Sequence, residues 1–589
     1  MDEPRDPDFV EDDFLFSEHP NPQWARKDWM SLDGTWKVER DGKVQAVRVP
    51  FPVGSEESGA DFPDSGLFVY SRSFELPAAA AGRSCLLRIG ACDYETTVLV
   101  NGREAGRHVG GYASFALDIT SLVGVGANEL VFRVRDSHSP YQVRGKQTFL
   151  RKPFMVWYGG VSGPWQSVWL EFTGPLYVER ASAVVDFDAD ALRIEAFVSG
   201  SGRPAAEPLG LALEIGEESG RRFQFEARFE DGVFRCSVPL GTLGFRPWSP
   251  ENPILYRLRY ILQSGRAESD AVESYFGVRR IRAQGGRVVL NGEPVFLRMA
   301  LVQGYYPGGV YTPKGHGRER DDILALKRMD FNGARIHQKI ESPYFLYLCD
   351  RLGLLVTFEM PSFYLPSRTG FRAYESELRE ILRRDAGHPS GIAWVLFNET
   401  WGVWGLYGRR SPTRRFVRDM VDLVRREDPT RLVIDNSGWE HLDTDVADVH
   451  HYLNTAARAR RAYDGFREKE AQLLRGASGW RAFLFYLLNK IGTDTRPVFL
   501  DVESEEAASE RGAPWILSEY GGFGWYRSGE GGSVADKIET YTRDAVDSGL
   551  FGGYCLTQLY DVGAETNGLL SFGREPKVPE DRMRTINGG

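Results

Sequence analysis

The sequence predicts a multidomain protein built from a β-sandwich jelly roll, an immunoglobulin-like β-sandwich and a C-terminal (β/α)8 barrel. Three observations carry this reading. The chain has 589 residues, enough for about four domains. Up to about residue 282 it consists of short alternating runs broken by turn residues. Beyond about Gly285 apolar strands alternate with helical segments, the pattern of a parallel sheet.

Residues 1–20 form an acidic lead-in. In the first unit, 21–173, the segments Gly34–Glu39, Cys85–Gly90, Thr96–Val100 and Glu129–Val134 alternate, and Asn101-Gly102 marks a hairpin turn. Clean alternation continues through 174–282, in Ala191–Val198, Arg222–Glu226 and Tyr256–Leu262. Ser199–Gly202 and Pro247–Pro253 are turns there. In the barrel, 283–589, helices are expected over Arg320–Met329, Pro343–Leu352, Ser376–Arg384 and Thr413–Glu427. Strands are expected over Gly333–Ile336, Leu354–Glu359, Ile392–Phe397, Leu432–Asp435, Val446–His450, Trp515–Ser518 and Gly552–Thr557. An insertion over about 453–514 breaks the rhythm with a basic stretch, Arg458–Arg467, and an apolar one, Trp480–Leu488. It reads equally as a lid, as a contact in a homo-oligomer, or as a packed subdomain.

Composition narrows the function. Lys and Arg number 72 against 82 Asp and Glu, a net charge of −10, which argues against a nucleic-acid partner. No run of 18 apolar residues occurs, so no membrane-spanning helix is expected. The five cysteines are scattered, without a CxxC pair, and fit reduced thiols better than a disulfide framework or a zinc site. The first residues lack the basic and apolar segments of a signal peptide, so a cytoplasmic location is expected. His450 and His451 are neighbours on a strand and point to opposite faces, which disfavours a shared metal. No metal or cofactor is expected.

In a (β/α)8 barrel the chemistry sits at the C-terminal tips of the strands. The strand Ile392–Phe397 delivers Asn398 and Glu399, and the strand Trp515–Ser518 delivers Glu519. Converging carboxylates are what glycosidic bond cleavage needs: one protonated to release the leaving oxygen, the other ionised to attack the anomeric carbon. Two close carboxyls push each other's pKa values apart and make that division natural.

The chain also resembles glycoside hydrolase family 2. Ser31–Trp36, Val49–Pro52, Val100–Gly102 and Ser162–Trp169 are similar to segments of that family's jelly roll. Phe276–Arg279, Leu290–Gly292 and Phe296–Arg298 are similar to its entry into the barrel, and Phe331–Arg335 and Cys349–Gly353 to its second strand and following helix. Asn398-Glu399 resembles the acid/base motif and Ser518–Gly521 the nucleophile motif. The resemblance implies Glu399 as acid/base, Glu519 as nucleophile and Asn398 as the ligand of the substrate 2-hydroxyl. It implies Arg335 beside the nucleophile, keeping it ionised, and Tyr452 hydrogen-bonded to it. His337 and Gln338 should line the sugar pocket.

Departures from the family concern the pocket. Gln303 stands where a histidine is frequent, and His337-Gln338-Lys339 replaces a familiar Ser-His-Tyr. The last strand lacks a tryptophan many members carry. Where glucuronidases of the family hold an Asn-x-Lys clamp for the sugar carboxylate, this chain reads Glu565-Thr-Asn567. A glutamate there repels a carboxylate, while Asp561 and Glu565 suit hydroxyl groups.

The expectation is a retaining exo-β-glycosidase that removes a terminal neutral sugar from an oligosaccharide or glycoside, β-galactosidase-like as the leading form. A β-glucuronidase or a pentosidase is the alternative within the family. Cleavage or transglycosylation inside polymers, and a non-catalytic carbohydrate-binding protein on the same fold, are the others.

Overall fold

In a computed structural model, residues 18–588 are described, except 201–207, 218–219, 408–410, 439, 453–456, 458, 464–471, 474–497, 500–501 and 525–531. Most of the lead-in, the apolar stretch of the insertion and half of its basic stretch lie outside the described residues.

Alternation builds the first unit. Along the strand Gly126–Asp136 every second residue from Asn128 is buried, and the strand pairs antiparallel with Gly66–Leu76 over its whole length. A six-stranded and a four-stranded antiparallel sheet enclose Trp36, Phe68, Tyr70, Leu87, Phe132 and Leu170. The second unit is a seven-stranded antiparallel sheet folded over its own core, which includes Leu192, Ile194, Leu213, Leu258 and Leu262. Its strand Arg222–Glu230 makes the fold-over: the first part pairs with Leu209–Gly216 and the last with Val233–Pro239. A buried ionic cluster joins the two units. Arg26 donates to both oxygens of Asp270, at 2.9 and 2.8 Å, and to Glu171.

The C-terminal unit is an eight-stranded parallel barrel. Its strands are β1 (Leu297–Val302), β2 (Gly333–Ile336), β3 (Leu355–Glu359), β4 (Gly391–Asn398), β5 (Leu432–Ser437), β6 (Ala447–His451), β7 (Trp515–Gly521) and β8 (Phe551–Thr557). Each of β2 to β6 is buried along its entire length, as a strand covered on both faces must be. The ring closes between β5 and β6, where Asp445 N–H donates to Val433 at 2.8 Å and His450 N–H to Gly438 at 3.1 Å. Helices α1 (Gly317–Arg328), α2 (Pro343–Leu352), α3 (Arg368–Asp385) and α4 (Pro412–Glu427) follow β1 to β4. No helix separates β5 from β6; the strand Glu440–His441 and a short turn do.

In the β5–β6 connection the ring of His441 forms a bridge, 2.9 Å from Asp435 and 3.2 Å from the Asp448 carbonyl. One element differs from expectation. Helix α3 starts eight residues before Ser376, at Arg368, because Ser367 caps it and Phe371 and Tyr374 pack against Phe416 and Phe397.

Both β units are fastened to the barrel. Trp248 Nε1 donates to the Asp350 carbonyl and Tyr275 to the Asp350 carboxylate, each at 2.8 Å. A loop of the jelly roll, residues 137–162, reaches the C-terminal mouth, where the N–H groups of Arg144 and Gly145 both donate to Ser362 at 3.0 Å. Gly145 is required there: its φ is +58°, and a Cβ would come within 2.1 Å of the Gln338 carbonyl oxygen.

Candidate active site

Five strands deliver side chains to one point. Arg335 on β2 is the hub. Its Nε donates to Glu359 at 2.8 Å, its Nη2 to Asn398 Oδ1 at 2.8 Å, and its Nη1 to Glu519 Oε1 at 3.1 Å. The same Nη1 lies 3.2 Å from His450 Nε2. A planar guanidinium presents donors in fixed directions, so one side chain sets the positions of β3, β4, β6 and β7 residues together.

Glu519, at the end of β7, receives Arg335 on Oε1 and the Tyr452 hydroxyl on Oε2, the latter at 2.6 Å. Tyr452 is steadied by Thr557 Oγ1 at 3.1 Å. Glu399, just beyond β4, lies 3.0 Å from His450 Nδ1. One carboxylate oxygen from each glutamate and one His450 ring nitrogen lie within 4.8 Å of one another. Glu399 and Thr400 both adopt left-handed backbone, φ 48° and 62°. This costly conformation is held by Glu399 N–H to Ser437 at 2.7 Å and Thr400 N–H to Asn436 Oδ1 at 2.8 Å. It turns Glu399 off the line of its strand toward Glu519.

Glu359 closes the cluster below. It is fully buried, and burial pushes its carboxyl up, but Arg335 and His337 overcome that and hold it at about 2. Burial likewise works against the charge of Arg335, while Glu359 and Glu519 hold the guanidinium protonated. Three ligand-type side chains, Glu399, His450 and Glu519, are close enough for a cation, yet a metal ion placed among them would meet the Arg335 guanidinium.

The other residues singled out in the sequence sit around this cluster, already engaged. His337 Nδ1 is 3.0 Å from Glu359 Oε1. Gln338 donates to Glu359 and Ser362, each at 3.1 Å, and accepts from Ser362 N–H at 2.7 Å. Both therefore brace Glu359. Gln303 donates to the Tyr158 hydroxyl at 3.2 Å, and that hydroxyl donates to Glu565 at 2.6 Å. Glu565 is completely buried and faces Lys146 at 3.6 Å. Asp561 is clamped by Lys577 at 2.7 Å.

Sequence reasoning passed over four of these groups. Glu359 ends an apolar strand, so the strand-tip argument that found Glu399 and Glu519 applies to it equally. His450 stands at the end of a strand as well, so the same argument reaches it. Lys146 and Tyr158 come from the jelly roll, and nothing in their local sequence signals that this loop lies over the barrel.

The arrangement is that of a (β/α)8 hydrolase site with two opposed carboxylates at the mouth of the barrel. Residues 316–522 match the family model for the TIM barrel domain of glycosyl hydrolases family 2. This match places the barrel segment, residues 316–522, with the glycosyl hydrolases of family 2. It is 26% identical to rat β-glucuronidase over 399 residues, covering 62% of this chain and 58% of the rat protein. It is 27% identical to a β-galactosidase of Aeromonas hydrophila over 424 residues, covering 68% of this chain and 38% of that protein. A relative from Formosa agariphila is 26% identical over 353 residues, 57% of this chain and 40% of its own length. The chain thus spans about half or less of the length of these relatives. In fold it superposes on a family 2 β-galacturonidase from Eisenbergiella tayi with a TM-score of 0.71 at 18% identity, covering 96% of this chain and 98% of the other.

Proposed function

We propose that the protein is a retaining exo-β-glycosidase that removes a terminal neutral sugar by double displacement. The observation that carries this reading is the approach of Glu399 and Glu519, whose nearest oxygens fall within 4.8 Å. Retaining enzymes hold their two carboxyls about 5–5.5 Å apart, which leaves no room for water between carboxylate and anomeric carbon. Glu519 attacks that carbon while Glu399 passes its proton to the leaving oxygen. Glu399 then takes a proton from water, which displaces Glu519 from the vacated face, and two inversions give net retention. Arg335 donates to Oε1 of Glu519 and Tyr452 to Oε2, and these two donors aim the carboxylate. Asn398 gives its carbonyl to Arg335, so its amide nitrogen is the group that donates to the 2-hydroxyl.

A neutral sugar is favoured because Lys146, Lys577 and Arg574 are each matched by a carboxylate. Lys146 faces Glu565 at 3.6 Å, Lys577 faces Asp561 at 2.7 Å, and Arg574 faces Asp322 at 3.0 Å. Galactose is the leading sugar, in line with the name of the Aeromonas relative. A uronic acid is the second reading. Lys146 would then turn from Glu565 to the sugar carboxylate, and the rat relative is a β-glucuronidase.

A panel of aryl β-glycosides, neutral hexoses and pentoses beside the glucuronide and galacturonide, tests the sugar. A uronide as clearly the best substrate overturns the neutral reading. Proton NMR of the first-formed product tests the mechanism: the β anomer is expected, and an α product from a β substrate refutes double displacement.

A further inference from the structure

In the reading just proposed, Glu399 protonates the oxygen that leaves, so side chains beyond Glu399 face the leaving group. The chain just after Glu399 leads into a row of aromatic rings. Trp401 follows two residues after Glu399, and its ring is 5.6 Å from Trp157 and 5.9 Å from Tyr364. Trp157 belongs to the jelly-roll loop and Tyr364 to the loop after β3. Phe149 bridges them, 5.2 Å from Trp157 and 4.7 Å from Tyr364. Phe154 stacks on Trp157 at 6.1 Å, and Trp404 donates to the Tyr364 carbonyl at 3.3 Å.

The inner rings of this row are largely covered, while its outer members are open to solvent. Phe154 is 49% exposed, Leu365 43% and Trp404 39%. Leu150 and Met155 on the same loop are exposed as well. Apolar side chains scattered singly on a surface need no explanation, but a contiguous row made by two domains beside a reacting group does. A sugar in the leaving-group position would call for hydrogen-bonding partners along its hydroxyls. This row offers ring faces and aliphatic edges.

We propose that the row is the aglycone site, and that the leaving group it takes is planar and apolar, an aryl or polycyclic alcohol rather than another sugar. The proposal rests on the assignment of Glu399 as the acid. The outer residues Phe154 and Trp404 discriminate between leaving groups, while the covered rings set the platform.

Two measurements test it. The first compares 2-naphthyl and phenyl β-glycosides, whose leaving groups have similar acidity, and a disaccharide, all carrying the sugar found by the panel. Phe154→Ala is expected to lower kcat/KM for the naphthyl glycoside about tenfold, with little change for phenyl glycoside and disaccharide. An equal change for all substrates, no change, or a loss centred on the disaccharide overturns the proposal. The second measures quenching of tryptophan fluorescence by free 2-naphthol, which needs no catalysis. Saturable quenching that weakens in Phe154→Ala supports the site even if no glycoside in the panel is cleaved, in which case the functional reading fails alone. Absence of saturable quenching overturns the site.

Discussion

Nδ1 of His450 stands 3.0 Å from Oε1 of Glu399, while Nε2 of the same ring faces Arg335 Nη1 at 3.2 Å. A guanidinium can only donate, so Nε2 accepts and the ring proton resides on Nδ1, directed at Glu399. The proposed acid is thereby linked through one imidazole to the arginine that holds the proposed nucleophile. Replacing His450 by Ala should loosen Glu399 without removing it. The expected loss is about tenfold to a hundredfold in kcat on glycosides with poor leaving groups and much less on activated aryl glycosides. Equal losses on both series would show that the ring merely supports the fold.

Glu399 and Glu519 should fail in different ways. Glu399→Ala is expected to cost about 10²–10⁴-fold on unactivated substrates and to spare activated ones. External azide should partly rescue it and give the β-azide. Glu519→Gln should abolish the covalent intermediate altogether. Near-normal turnover by either variant on an unactivated substrate would overturn the pairing.

Tyr452→Phe removes the 2.6 Å hydrogen bond to Glu519 and leaves the ring in place. A hydrogen bond to a charged group is worth about 1.5–3 kcal/mol, so kcat/KM should fall about tenfold to a hundredfold at unchanged stability. A loss of thermal stability matching the loss of activity would assign Tyr452 a packing role.

Acid should unfold the protein through its buried ion pairs. Burial raises the Glu171 carboxyl, but Arg88 and Arg26 hold it at about 2, below its ordinary 4.5. The unfolded chain therefore takes up this proton first as pH falls. The stabilisation is full above about pH 4.5 and disappears as pH drops through 2, and it amounts to about 3 kcal/mol. Glu359 follows the same course. Urea unfolding of Glu171→Gln between pH 5 and 2 should show a flatter decline than the wild type; identical slopes would exclude the effect.

Glu377 works in the opposite sense. Burial against the jelly roll raises its carboxyl to about 7, although the Tyr112 N–H bond opposes this. The folded state keeps this proton while the unfolded chain loses it near 4.5, so stability falls as pH climbs from there to 7. Glu377→Gln keeps an oxygen for Tyr112 and carries no charge. It should be more stable than wild type by about 2–3 kcal/mol at pH 8 and equal to it at pH 4. Equal stability at both values would refute the shift.

Much of the molecule was legible in the sequence because its signals are local. Strand Gly333–Ile336 and helix Pro343–Leu352 fall at the bounds that hydrophobic period and end residues indicate, and Glu399 and Glu519 are placed by the rule that strands deliver their chemistry at their tips. The early start of α3 escaped because it is decided by rings distant in sequence, Phe416 against Phe371 and Phe397 against Tyr374. Composition and order determined the succession of two β units and a barrel, and the residue types of the site. Only the tertiary structure decided that Glu359 and His450 join that site, that Glu565 is matched by Lys146, and that an aromatic loop of the jelly roll borders it. These contacts close across 51 residues for Glu399 and His450 and across 407 for Tyr158 and Glu565, and no periodicity or motif encodes distances of that order.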